Sequence, residues 1–188
     1  DVDGDPDLYV ANDMTPNFLY LNAGTGRFVE SALLLGAALS GDGAAQAGMG
    51  VDTGDFDDDD DPDLLVTNYQ LENNALYRNE GDWWTEASFG AGLGEATLAF
   101  LGFGAGFFDY DNDGRLDIFV ANGHVHDNIE AYDPIVSYAQ RPQLFHNDGR
   151  AFAEPTEVGP GLLRLYVGRG SSFGDYDADG DVDVAINN

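Results

Sequence analysis

The chain has 188 residues and 43% hydrophobic content, enough to bury a core within one large domain or part of a larger one. Asp and Glu number 35 against seven basic residues, all Arg, and the net charge of -28 argues against nucleic acid or an anionic membrane surface as partner and for a cation. The absence of Cys excludes disulfides and thiolate metal sites, and no apolar run is long enough to read as a membrane-spanning helix.

In chain order, the first stretch is DVDGDPDLYVAN from Asp1, an acidic turn running into a short apolar strand. It lacks the charged and apolar regions of a signal peptide, so the reading is a fragment whose targeting sequence, if any, lies upstream of Asp1. NFLYLNAGTGRF from Asn17 follows, two alternating strands about an Asn-containing turn. SALLLGAALSG from Ser31 has the composition of a short helical turn, but its Gly residues and position between units suit a connecting loop as well.

The same parts then recur. GMGVDTGDFD from Gly48 leads into DFDDDDDPDLLVTN from Asp55 and NALYRNEGDWW from Asn74, and GFGAGFFDYD from Gly102 leads into DYDNDGRLDIFVAN from Asp109 and QLFHNDGRAF from Gln143. GRGSSFGDYD from Gly168 leads into DYDADGDVDVAINN from Asp175. The last aspartates of the four acidic loops, Asp7, Asp63, Asp117 and Asp183, lie 56, 54 and 66 residues apart. Each unit reads as strand, acidic loop, strand, connection and two-stranded hairpin, so the spacing predicts an all-β chain of stacked four-stranded units, the size of β-propeller blades. No stretch has a convincing helical stripe.

The loops carry the chemistry. Asp109, Asp111, Asp113 and Asp117 occupy positions 1, 3, 5 and 9, with Gly114 at position 6. Carboxylates so crowded repel one another unless a cation sits among them. Oxygens at alternate positions, with the position-7 backbone carbonyl, suit the six to eight hard ligands of calcium, and Gly at position 6 permits the sharp turn. The EF-hand is excluded, because position 12 falls on Val66, Val120 or Ile186 within an apolar strand, where that motif needs Glu. The candidate metal residues are Asp1, Asp3, Asp5 and Asp7; Asp55, Asp57, Asp59, Asp61 and Asp63; Asp109, Asp111, Asp113, Arg115 and Asp117; and Asp175, Asp177, Asp179, Asp181 and Asp183. The second loop has Asp60 in place of the turn Gly, which predicts weaker binding there. The position-9 carboxylate is expected to let the ion clip its strand to the preceding one.

These loops and their DLxVAN-type strands resemble FG-GAP (VCBS) repeats, the calcium-binding propeller blades also found in integrin α chains. IFVANGHVHD at 118, YAQRPQLFHNDGRAF at 138 and VGRGSSFGDYDADGDVDVAINN at 167 further resemble bacterial proteins of the cartilage acidic protein type, in which such repeats precede an ASPIC/UnbV domain. The resemblance implies a seven-bladed propeller in an exported protein, calcium in its loops, and no established catalysis. On that basis residues 1–188 hold about three complete repeats and a partial one. A set that cannot close a ring should be unstable or oligomeric in isolation. Phe108, where the other copies have Gly54 and Gly174, is expected to concern packing only.

Other residues invite chemistry. His124 and His126 lie two apart and on a strand would share one face, with Asp127 beside them, yet structural packing is the preferred reading over a zinc-type site. The chain has no GxSxG, and Ser171 and Ser172 are not repeated in the sibling copies, while 35 acidic residues make a suitable carboxylate pair uninformative. Trp83, Trp84, Tyr132 and Tyr138 are candidates for ligand binding; of the two Trp one should face out. Phe18, Tyr20, Tyr77 and Phe145 are expected to fill the wedges between units. The resulting expectation is a secreted or cell-surface, non-catalytic calcium-binding scaffold for a protein or carbohydrate ligand, without membrane insertion. The alternatives are the propeller part of a secreted enzyme acting on polysaccharide, and an assembly spacer.

Overall fold

A computed structural model describes residues 3–188. The strands are β1 (Leu8–Val10), β2 (Phe18–Asn22), β3 (Phe28–Glu30), β4 (Val51–Gly54), β5 (Asp63–Val66), β6 (Ala75–Asn79) and β7 (Trp84–Glu86). They continue with β8 (Gly102–Phe108), β9 (Asp117–Asn122), β10 (Gln143–Asn147), β11 (Phe152–Ala153), β12 (Ser171–Gly174) and β13 (Asp183–Ile186). All pairings are antiparallel between sequence neighbours, giving sheets β1-β2-β3, β4-β5-β6-β7, β8-β9-β10-β11 and β12-β13. The two middle sheets are the four-stranded units that the repeat predicts. No helix among the described residues is long and apolar enough to cross a membrane.

Successive sheets bury one another, which explains why the central strands read as unbroken apolar runs rather than alternating ones. Leu65 and Leu76 of the second sheet meet Ile118, Val120 and Phe145 of the third in one core cluster. Their strand neighbours Leu64, Val66, Ala75 and Tyr77 face the other way, toward Tyr9 and Ala11. On the far side of the third sheet, Phe119 and Ala121 pack with Phe173, Val184 and Ile186. Side chains alternate between two wet faces in an isolated sheet; here both faces are dry. Tyr77 and Phe145 fill these wedges as expected, whereas Phe18 is half-exposed and leans on Tyr20. Phe108 is buried against Phe173 with ring centroids 5.2 Å apart, a packing role as expected.

The recurring glycines mark where the first strands of successive sheets touch. A Cβ on Gly50 would collide with the Phe103 carbonyl, and one on Gly104 with the backbone at Gly170 and Ser171. The amides of Gly48, Gly102 and Gly168 donate to the carbonyls of Asn12, Asn68 and Asn122 at 2.9, 3.1 and 3.0 Å, so each unit docks on the Asn that ends the second-strand motif of the unit before.

Among the described residues, three short helical turns lie in the connections. SALLLGAALSG does form one, Ala32–Leu35, closed by Gly36 in a left-handed conformation at φ 90°. Gly94–Thr97 forms another that has no apolar stripe to announce it, and the insertion between 127 and 140 holds a 3-10 turn at Ile129–Ala131.

Candidate metal centre

Each acidic loop is wound by its own carboxylates. The position-1 side chain accepts the amides of positions 5 and 6: Asp109 from Asp113 (3.1 Å) and Gly114 (2.8 Å), Asp55 from Asp59 (3.1 Å) and Asp60 (2.9 Å), and Asp175 from Asp179 (3.1 Å) and Gly180 (3.0 Å). The position-5 side chain then accepts the amide of position 7: Asp59 from Asp61, Asp113 from Arg115, Asp179 from Asp181. In the first loop Asp1 lies outside the described residues, but Asp3 accepts the Asp5 amide at 2.9 Å in the same way.

The tight winding demands two left-handed residues in each of the last three loops. At position 6 the left-handed residues are Gly4, Gly114 and Gly180, with φ of 93°, 90° and 98°, and Asp60 at 71°. The second loop therefore makes the same turn without Gly, because Asp is among the few side chains that tolerate this region. Position 4 is also left-handed, at Asp58 (61°), Asn112 (58°) and Ala178 (61°), a requirement that three different residue types concealed in the sequence.

Position 9 ties the loop to the sheet. Asp117 is fully buried and its two oxygens accept the amides of Tyr110 (3.1 Å) and Asn147 (2.8 Å); Asp63 does the same with Phe56 (3.0 Å) and Asn79 (2.8 Å). Asp7 accepts the Asn22 amide at 2.7 Å and Asp183 the Tyr176 amide at 2.9 Å. The Asn partners complete the latch. Asn22, Asn79 and Asn147 donate from their side chains to the carbonyls of Pro6, Pro62 and Leu116, and accept the amides of Gly24, Gly81 and Gly149. Their role was within reach of the repeat alignment, since LYLN, LYRN and LFHN all end on the same residue.

The same carboxylates also converge on one another. Carboxylate oxygens of positions 1, 3 and 9 come within 4.8 Å of one another in three loops: Asp55, Asp57 and Asp63; Asp109, Asp111 and Asp117; Asp175, Asp177 and Asp183. Burial pushes Asp63 up to about 7, with the charges of Asp57 and Asp59 adding to it and the two amides opposing it. Asp117 is raised for the same first reason, with Asp111 contributing. A buried carboxylate facing two others is electrostatically incomplete, and an all-oxygen set of this kind fits a hard cation such as calcium.

The remaining predicted ligands are placed differently. The side chains of Asp59 and Asp179 are engaged in winding their loops. Among the described residues, Asp113 is the position-5 residue that joins a cluster, with Asp111 and His146. At position 7, Arg115 pairs its guanidinium with Asp113 and donates from Nε to the Asn147 carbonyl (2.8 Å), while Asp181 accepts from Asn112 of the preceding loop (2.7 Å). Sequence reading passed over two residues beside the clusters: His146, with Nδ1 3.4 Å from Asp111 and Asp117, and Arg78, 3.9 Å from Asp57. Both immediately precede a latch Asn.

A family model described as FG-GAP-like repeat matches residues 1–66 and 55–120. The chain belongs to this family. Its FG-GAP-like repeats thus coincide with the units that begin at the acidic loops, as the resemblance of the motifs implied. Two curated relatives extend the likeness over 96% of the chain: cartilage acidic protein 1 of Xenopus tropicalis, 27% identical, and cartilage acidic protein 1 of Homo sapiens, 26% identical. The chain spans about a quarter of their length, 26% and 25%.

Elsewhere on the FG-GAP-like scaffold, Trp83 is 56% exposed while Trp84 packs inward against the clusters of Leu19, Ala32, Ala37 and Ala38 and of Leu64, Val66, Ala75 and Tyr77, so one faces out as expected. Tyr132 is 77% exposed at the 3-10 turn, and Tyr138 is half-buried with its amide held by Glu130 at 2.8 Å. His124 is buried with both ring nitrogens engaged: Nδ1 accepts the His126 amide at 3.0 Å and Nε2 meets the Tyr69 hydroxyl at 3.3 Å. That is the packing role the sequence favoured.

Proposed function

We propose that residues 1–188 form a segment of a calcium-stabilised, integrin α-like β-propeller, about three complete repeats and a partial one of a seven-bladed ring. It acts as a secreted or cell-surface scaffold for recognition or adhesion, binding a protein or carbohydrate ligand without catalysis. The observation that carries the reading is the convergence of position-1, position-3 and position-9 oxygens in three loops, two of them latched to the end of the third strand by Asp63 and Asp117. Calcium there supplies positive charge to a buried carboxylate group and holds each loop rigid above its sheet. The relatives named cartilage acidic protein are consistent with an acidic extracellular scaffold.

The ligand-binding residues in this reading are Trp83, Tyr132 and Tyr138, with Trp84 as the inward support of its neighbour. Exposed aromatics held on rigid loops suit sugars or protein partners. Calorimetric titration of calcium into the metal-stripped chain, with melting followed in parallel, tests the core of the proposal. Three or four ions per chain and a large rise in melting temperature are expected. Absence of binding would reduce the aspartates to solvated turns and overturn the reading.

A further inference from the structure

The residue that precedes the latch Asn differs in every copy: Leu21 in the first unit, Arg78 in the second, His146 in the third. It sits on the third strand where that strand passes the carboxylates, so it decides what else faces the ion. Leu21 adds no ligand. Arg78 brings a fixed positive charge to 3.9 Å from Asp57, already bound to Glu80. His146 brings a nitrogen.

The surroundings of that nitrogen are specific. Nδ1 lies 3.4 Å from Asp111 Oδ2 and 3.4 Å from Asp117 Oδ1, and it also clusters with Asp113. The atom itself is shielded from solvent and has no hydrogen-bond partner among the described residues, although the side chain as a whole is 31% exposed. The Tyr110 ring stands edge-on to the imidazole, with centroids 5.9 Å apart and planes at 86°, which restricts rotation of the ring. The backbone is fixed from both sides, by pairing of His146 with Ala153 and by the latch at Asn147. An imidazole nitrogen lying against the Asp111 and Asp117 carboxylates is therefore held in place rather than free to swing out.

Oxygen-only sets favour hard cations, whereas imidazole beside carboxylates is a donor set for borderline divalent metals such as zinc. We propose that the third loop is a mixed nitrogen-oxygen site that accepts a borderline transition-metal dication, with His146 Nδ1 as ligand beside Asp111 and Asp117, while Asp113 is held by Arg115. The inference rests on the reading of the loops as cation sites and adds that they are not equivalent: the second, with Arg78 in the place of His146, takes hard cations only. Neutral imidazole is the ligating form, so a bound metal displaces the proton that an ion pair with Asp111 and Asp117 would require.

The test uses the full chain, stripped with a chelator and titrated with zinc, in buffer and again with calcium at saturation, while the ring nitrogens of the histidines are followed by 15N NMR. One zinc per chain that shifts the His146 Nδ1 resonance, and that calcium does not fully displace, is expected. His146→Leu, which copies the first unit, should weaken zinc binding at least about tenfold and leave calcium uptake at the other loops unchanged. His146→Arg, which copies the second, should abolish it. Zinc binding that either variant leaves intact, a zinc shift at His124 or His126 instead, or no zinc binding at all would overturn the inference. The calcium titration of the same protein separates the two readings: calcium uptake without zinc uptake refutes only the mixed site, and zinc uptake at His146 without calcium uptake refutes only the calcium scaffold.

Discussion

The position-3 and position-9 aspartates belong to one carboxylate cluster yet should behave as different kinds of residue, and the third loop allows a direct comparison. Asp117 is fully buried and satisfies the amides of Tyr110 and Asn147, so Asp117→Ala strands two donors. Each buried unsatisfied group costs about 1–3 kcal/mol, so the loss is roughly 2–6 kcal/mol. For a chain of this size that corresponds to a melting temperature lower by on the order of 5–20 °C. The loss needs no metal and should appear in full in chelator. Asp111, by contrast, is exposed and faces the cluster, so Asp111→Ala should change the melting temperature in chelator by no more than a few degrees and remove only the increment that calcium adds at this loop. Differential scanning calorimetry of both variants, in chelator and in calcium, reads the distinction. Equal losses in chelator would refute the division between a latch and a ligand, as would a loss for Asp117→Ala that appears only with calcium present.

Four further outcomes follow from the same geometry. Ala178 holds a left-handed φ of 61° that its siblings fill with Asp and Asn, so Ala178→Gly should stabilise the metal-free protein by about 0.5–1 kcal/mol in urea unfolding. Asp60→Gly relaxes φ 71° in the second loop and removes one negative charge; denaturation in chelator should show a gain of similar size, and a loss would mean that the Asp60 side chain is needed. Gly104→Ala drives a Cβ into the backbone at Gly170 and Ser171 and should cost about 1–3 kcal/mol, read as a lowered urea midpoint with unchanged slope. Burial lowers the pKa of His124 below its ordinary 6.5, so the unfolded chain takes up the proton first as pH falls; the stability tied to this residue is intact above pH 6.5 and is lost as pH drops through the folded value. His124→Gln should therefore flatten the fall in melting temperature between pH 7.5 and 5 relative to the parent chain, and an unchanged slope would show that His124 does not contribute to it.

The repeat made the architecture legible because each copy reports on the others. Asp63 and Asp117 each begin a strand that is buried on both faces, and the uninterrupted runs DLLV and DIFVAN record that burial directly. The glycines at 50 and 104 were equally visible, although only the fold reveals that they clear a path for the next sheet's backbone rather than make a turn. The turn at Gly94–Thr97 was not legible, since four residues cannot show a helical period. Nor was the left-handed position 4, because Asp58, Asn112 and Ala178 share a conformation and no side-chain type.

At the carboxylate clusters the limits had a different cause. Spacing alone gives every aspartate of a loop an equal claim on a cation, and it takes the fold to show that positions 1, 3 and 9 converge while Asp59 and Asp179 serve only to wind their loops. Asp59 and Asp113 occupy the same position and accept the same amide, yet only Asp113 lies in a ligand cluster, because His146 stands opposite it where the second loop has Arg78. The difference originates about thirty residues downstream on another strand, at a variable position of the hairpin motif. Repetition therefore specifies what the loops share, namely winding, latch and oxygen donors. The copies disagree at the residue before the latch Asn, which is Leu21, Arg78 or His146, and that residue decides which side chain the third strand brings to the carboxylates.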